Sequence, residues 1–180
     1  PDFSARGMLE RFQVKALCTT DDPAYPLSYH EEIAQSIPTC KVYPTFRPDQ
    51  AWGIDRAQNF IEWVETLEQT SGKTIVNFDS FLQALEASVE TFYGSNVAVS
   101  KDYARIVNRR HFDRIVSLVD DAKEKGAQVL FGGKTDADDC FIEPTVLINC
   151  TPEMRIMQEE IFGPILPVMS YQDEMEVTAS

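Results

Sequence analysis

Gln13-Val14-Lys15-Ala16-Leu17-Cys18 is a short apolar-rich run, and Thr19-Thr20-Asp21-Asp22-Pro23 after it is turn chemistry. The run reads as a buried-type strand, preceded by a short helix over 6–12. Ser28 and Glu31 stand at capping-box spacing, which predicts a helix over 29–35. Lys41-Val42-Tyr43-Pro44-Thr45-Phe46 reads as a second strand, ending at Arg47-Pro48-Asp49. Helix, strand, turn, helix, strand is the order of a parallel α/β unit.

Helical periodicity takes over downstream. Ala57, Phe60, Ile61, Val64 and Leu67 line one face of a helix closed by Ser71-Gly72. Phe78, Phe81, Leu82, Leu85, Val89 and Phe92 form a second stripe, capped by Asn77 or Asp79 and stopped at Gly94. A third stripe holds Phe112, Ile115, Val116, Val119 and Ala122, with Gly126 beyond its end. A strand over 128–131, a Gly132-Gly133 turn, an acidic loop over 136–139 and strands over 145–149 and 165–169 complete the pattern. The fold class expected is α/β, a small mixed sheet with four or five helices.

Of the 180 residues, 43% are hydrophobic, which excludes collagenous, low-complexity and wholly disordered chains. No run approaches the ~20 apolar residues of a membrane span. The 16 basic and 29 acidic residues give a charge of −13, a field that repels polyanions, so nucleic acid is not an expected partner. The chain opens Pro1-Asp2-Phe3 without a basic-then-apolar leader, as an excised piece would. Cys18, Cys40, Cys140 and Cys150 show neither disulfide-framework nor zinc spacing. They read as reduced thiols of a cytoplasmic protein, with Cys18 and Cys150 expected in the core.

Cys18-Thr19-Thr20-Asp21-Asp22-Pro23, Ser28-Tyr29-His30, Pro44-Thr45-Phe46-Arg47-Pro48-Asp49 and Phe78-Asp79-Ser80-Phe81-Leu82-Gln83-Ala84-Leu85 are ordered motifs within 6–86. Together they resemble the uronate isomerase family, barrel enzymes of the amidohydrolase superfamily. Phe92-Tyr93-Gly94, Asp102-Tyr103-Ala104-Arg105-Ile106-Val107-Asn108, His111-Phe112-Asp113-Arg114-Ile115 and Phe131-Gly132-Gly133 change the resemblance. With Pro144-Thr145-Val146-Leu147 and Met157-Gln158-Glu159-Glu160-Ile161-Phe162-Gly163-Pro164-Ile165-Leu166-Pro167, residues 92–176 are similar to the catalytic domain of the aldehyde dehydrogenase superfamily. The first resemblance implies a barrel-type βα segment over 1–88, and the second an aldehyde-dehydrogenase-like βαβ segment over 89–180.

The first family's chemistry needs paired metal ligands, and His30 and His111 form no such pair, so no metal is expected. Arg47 is the substrate-binding residue the resemblance carries over, because a planar guanidinium suits a sugar-acid carboxylate. Pairing with Asp49 or Asp22 is its structural alternative. Thr20, Asp21 and Asp22 either face the site or cap a helix before Pro23. By the second resemblance, Glu160 binds the nicotinamide ribose hydroxyls and Phe162 packs near the nicotinamide ring. No glycine-rich strand-to-helix phosphate cradle appears, and no cysteine has the family's nucleophile context. Cys140 sits in an anionic loop unsuited to a nucleophilic thiolate.

The expectation is a folded chimera of two incomplete enzyme fragments without parental catalysis. No catalytic residue is assigned, and no cofactor is expected beyond the NAD(P) that the second resemblance allows. Three alternatives stay open: an NAD(P)-dependent aldehyde dehydrogenase-like oxidoreductase, a uronate-binding isomerase remnant, and a self-associating assembly module.

Overall fold

The structure, a computed structural model, describes residues 3–47 and 49–170. Pro48 of the Arg-Pro-Asp motif and the end of the dehydrogenase-like segment lie outside the described residues. The chain divides into two compact units, one up to Ala104 and one from Arg105 onward.

In the first unit, α1 (Ala5–Arg11) leads to β1 (Ala16–Asp21), α2 (Ser28–Ser36) and β2 (Lys41–Phe46). β1 and β2 pair in parallel from Ala16↔Lys41 to Asp21↔Phe46, with α2 as the crossover. β1 therefore runs three residues past Cys18, through Thr19-Thr20-Asp21, which the sequence assigned to a turn. β-Branched threonines are good strand formers, and Thr45 gives them a partner. The buried-type assignment is also corrected: exposure alternates along β1, and Cys18 lies on its exposed face. The Ser28 capping box is absent. The backbone carbonyl of Leu27 takes the His30 and Glu31 amides, so the first turn of α2 closes without a side chain.

A 3₁₀ helix (Asp49–Asp55) precedes α3 (Ala57–Ser71), which ends at Gly72 with φ +65°. α4 (Phe78–Tyr93) starts at a reciprocal cap: Asn77 Oδ1 accepts the Ser80 amide at 2.8 Å, and Ser80 Oγ accepts the Asn77 amide at 3.0 Å. Trp63 and Leu67 of α3 are buried, as are Leu82, Leu85, Val89 and Phe92 of α4. Phe78, placed on the α4 stripe by its spacing, is exposed instead, stacking at 5.9 Å on Phe81. Polar bonds fasten the strands to these helices. Trp63 Nε1 donates to Asp22 Oδ1 at 2.6 Å, Thr70 Oγ1 to the Ala24 carbonyl, and the Tyr93 hydroxyl to the Pro44 carbonyl at 3.0 Å.

The second unit is organised by α5 (Arg109–Glu124), capped by Asn108 Oδ1 on the His111 amide. Its apolar face is Phe112, Ile115, Leu118, Val119 and Ala122, all buried, each large side chain contributing about 1.5–3 kcal/mol. Val116 is only partly buried; Leu118 takes the place the spacing gave it. This face covers a three-stranded mixed sheet: β6 (Thr145–Ile148) is central, antiparallel to β3 (Gln128–Phe131) and parallel to β7 (Ile165–Pro167). β4 (Thr135–Asp136) and β5 (Phe141–Ile142) form a small hairpin, and α6 (Arg155–Gln158) precedes β7. Helices with small sheets are thus what the chain forms.

Gly132, φ +79°, approaches Pro144 so closely that a Cβ would lie 2.0 Å from the Pro144 carbonyl oxygen. Gly126, φ +104°, faces open space. Gly126→Ala should cost about 1 kcal/mol, the ordinary loss at positive φ. Gly132→Ala should cost well beyond that in denaturant unfolding, because backbone must move; equal costs would contradict the packing.

Asp22 titrates above the usual carboxylate range. Burial is the main cause, opposed by the bonds from Trp63 and Ala24 and reinforced by Asp49. An acid raised in the folded state contributes stability that is full at low pH and lost as pH rises through its folded value. Asp22→Asn keeps an oxygen for both donors and removes the charge. Its melting temperature relative to wild type should therefore rise between about pH 4 and pH 7. A difference constant with pH would refute the assignment.

Candidate functional site

At the ends of β1 and β2, Asp21 gathers three elements. Asp21 Oδ2 accepts the Thr19 hydroxyl at 2.6 Å and the Thr45 amide at 3.1 Å. His30 Nε2 of α2 lies 2.8 Å from Thr19 Oγ1 and 3.5 Å from Asp21 Oδ1. Thr19 has one hydroxyl proton, and the carboxylate takes it; the proton on the second contact therefore belongs to His30 Nε2. A nucleophilic triad needs the reverse, a bare imidazole nitrogen facing the hydroxyl with the carboxylate on the far side of the ring. The cluster is a polar tie between two strands and a helix, with His30 and Asp21 side chains only 15% and 17% exposed. The sequence signal for it was the Thr19/Asp21 alternation, which puts both on one strand face. His30 lies in the Ser28-Tyr29-His30 motif, but nothing there points to Thr19 as its partner.

Asp22 is not a helix cap, since α2 begins only at Ser28. Its Oδ1 instead closes a tight turn onto the Ala24 amide at 2.9 Å and receives Trp63. Thr20 is exposed. Arg47 sits just past β2, its amide bonded to the Asp21 carbonyl at 2.8 Å. Its guanidinium pairs with Asp49 at 3.1 Å, both side chains more than half exposed.

In the second unit, Glu160 and Phe162 occupy the turn between α6 and β7. Glu160 is exposed, and Phe162 is 81% exposed with φ +49°. Arg114 of α5 donates from Nη1 to the Glu160 carbonyl at 2.9 Å and from Nη2 to the Ile161 carbonyl at 2.5 Å. Gly163 lies against Ile115, where a Cβ would come 2.7 Å from Cδ1. Glu159 pairs with Arg155 at 3.0 Å. Arg114 lies within the His111–Ile115 motif, but nothing in its spacing distinguishes it from a solvated helix arginine.

The four thiols have unlike surroundings. Cys40 and Cys150 are buried, and burial pushes the Cys150 thiol up. Cys140 is half-buried against the core of the second unit. Its loop is less anionic than its sequence suggests, since Arg105 pairs with Asp139 at 2.6 Å and Arg109 acts electrostatically on Asp138 and Cys140. Among the described residues no three His, Cys, Asp or Glu side chains converge to hold a metal ion, and no helix is long and apolar enough to cross a membrane.

Comparison with known proteins connects each part to a family. The 4,4'-diaponeurosporen-aldehyde dehydrogenase of Staphylococcus aureus is 46% identical over 101 residues, 56% of this chain and 21% of that protein. The chain thus spans about a fifth of that relative's length. The substrate-bound structure of Staphylococcus aureus AldH aligns with 99% of this chain and 41% of its own, at 27% identity and a TM-score of 0.52. Uronate isomerase from Thermotoga maritima aligns with 48% of this chain and 19% of its own, at 34% identity and a TM-score of 0.44. The glucuronate isomerase family model matches residues 1–125, and the aldehyde dehydrogenase family model matches residues 75–180. The chain therefore belongs to both families, to the glucuronate isomerases through its N-terminal part and to the aldehyde dehydrogenases through its C-terminal part.

Proposed function

We propose that these 180 residues are a chimera of two incomplete enzyme segments, barrel-type over 1–88 and aldehyde-dehydrogenase-like over 89–180, that completes neither parental reaction alone. The setting of the thiols carries this reading. Acyl transfer to sulfur needs an accessible thiolate beside oxyanion donors. In the dehydrogenase-like unit Cys150 is buried with its thiol held protonated, and Cys140 packs against the core. The exposed Cys18 belongs to the isomerase-like unit, on a strand. Free cysteines accord with a cytoplasmic setting.

What the second segment retains is the turn bearing Glu160 and Phe162. NAD(P) is the cofactor its family implies. An exposed carboxylate suits a ribose diol, and an exposed ring suits the nicotinamide face, so the residues fit the nicotinamide riboside end. They do not fit the diphosphate. Gly132-Gly133 leads into β4 rather than a helix N-terminus, and Gly132 serves close strand packing against Pro144. In the first segment, the Arg47 guanidinium already shares Nη2 with Asp49, so a uronate carboxylate there would meet a neighbouring negative charge.

Reduced-nicotinamide absorbance, followed for hours at high protein concentration with NAD or NADP and short or aromatic aldehydes, should stay flat. Losing one oxyanion donor alone costs roughly 3 kcal/mol. Turnover that disappears in one of the four single Cys→Ser variants would establish the dehydrogenase alternative instead. Millimolar glucuronate should leave the melting temperature unchanged. A saturable stabilisation lost in Arg47→Ala would reveal a surviving uronate site.

A further inference from the structure

We propose that Arg114 is the positioning residue of the 160–163 turn, its guanidinium fork fixing the backbone so that the Glu160 carboxylate and the Phe162 ring face one ligand together. This rests on the reading of that turn as the part that meets the nicotinamide riboside end of a dinucleotide.

The turn is costly as built. A phenylalanine at φ +49° is strained and persists only where its surroundings impose the conformation. The ring does not recover this by burial, since it is 81% exposed. Enforcement comes from both flanks. On one side the two Nη groups of Arg114 hold the carbonyls of consecutive residues, Glu160 and Ile161, and so orient the peptide between them. On the other, Gly163 seats against Ile115, where a Cβ would push the buried Ile115 side chain aside, and the Pro164 carbonyl accepts the Thr145 amide of β6 at 2.9 Å. Arg114 and Ile115 are neighbours on α5, so one rigid helix shapes both flanks. Only a planar fork donates to two carbonyls in this way; a lysine ammonium is a point charge on a flexible stem. An exposed, strained aromatic beside an exposed carboxylate, held by a half-buried arginine that pairs with no acid among the described residues, is built for presentation rather than for core packing.

The test is by NMR on the whole chain. Without ligand, Arg114→Met, which keeps the apolar stem, should shift the carbonyl carbons of Glu160 and Ile161. It should also move the Phe162 HN–Hα coupling toward negative φ. Arg114→Lys should restore one carbonyl. In the wild type, slowed exchange of the Arg114 Nη protons should report the same bonds without any substitution. With millimolar NAD, saturation transfer to the nicotinamide protons should fall severalfold in Arg114→Met and in Phe162→Ala, and recover in part in Arg114→Lys. Unchanged carbonyl shifts and coupling in Arg114→Met, or freely exchanging Nη protons in the wild type, would overturn the positioning role. Absent transfer in the wild type would instead overturn the cofactor-facing reading, and the ligand half of this proposal with it.

Discussion

The second unit depends on the seating of one amphipathic helix. α5 buries Phe112, Ile115, Leu118, Val119 and Ala122 against β6, β7 and the Met154–Ile156 corner, and its polar residues act from that fixed frame. Asp121, held below the usual carboxylate range by the Arg155 amide and Lys125, caps the start of α6 at 2.9 Å. Arg114 grips the following turn, and Ile115 packs against Gly163 there. A helix that slipped by one residue would lose the core, the α6 cap and the turn together.

The first unit is held differently. β1 of its two-stranded parallel sheet alternates exposed and half-buried residues, whereas parallel sheets are ordinarily covered on both faces. Much of its specificity therefore comes from side-chain bonds at the strand ends: Asp21 with Thr19, Thr45 and His30, Asp22 with Trp63, and Tyr93 with the Pro44 carbonyl. Such bonds are worth about 1 kcal/mol each when made and more when one buried partner is left alone. Trp63, in tilted ring contact with Phe60 and Phe81, joins this polar layer to the α3–α4 core.

Period-3.6 stripes and caps were the features most readable from sequence. α3, α4 and α5 appear where Ala57–Leu67, Phe78–Phe92 and Phe112–Ala122 place them, because each apolar face is wide, α4 and α5 start at Asn77 and Asn108, and a glycine follows the end of all three. β2 was readable as well, bounded by Cys40 and Arg47. The end of β1 was not, since Thr-Thr-Asp-Asp-Pro is equally turn-like and strand-capable until β2 supplies a partner. Exposure of Cys18 and Phe78 was hidden for a related reason: an apolar residue shows its affinity for a core, not whether a neighbour covers it. The site divides similarly. Arg47, Glu160 and Phe162 were found through motifs, but Arg114 and His30 act through residues distant in sequence, and no local pattern announces such bonds.

The division between Ala104 and Arg105 implies two cores that open independently of each other. Residue-resolved native-state hydrogen exchange on wild type and Gly132→Ala tests it most directly. The substitution should lower protection in α5, β3 and β6 while α3 and α4 keep their wild-type values. A uniform loss across both sets of elements would contradict it and show a single cooperative core.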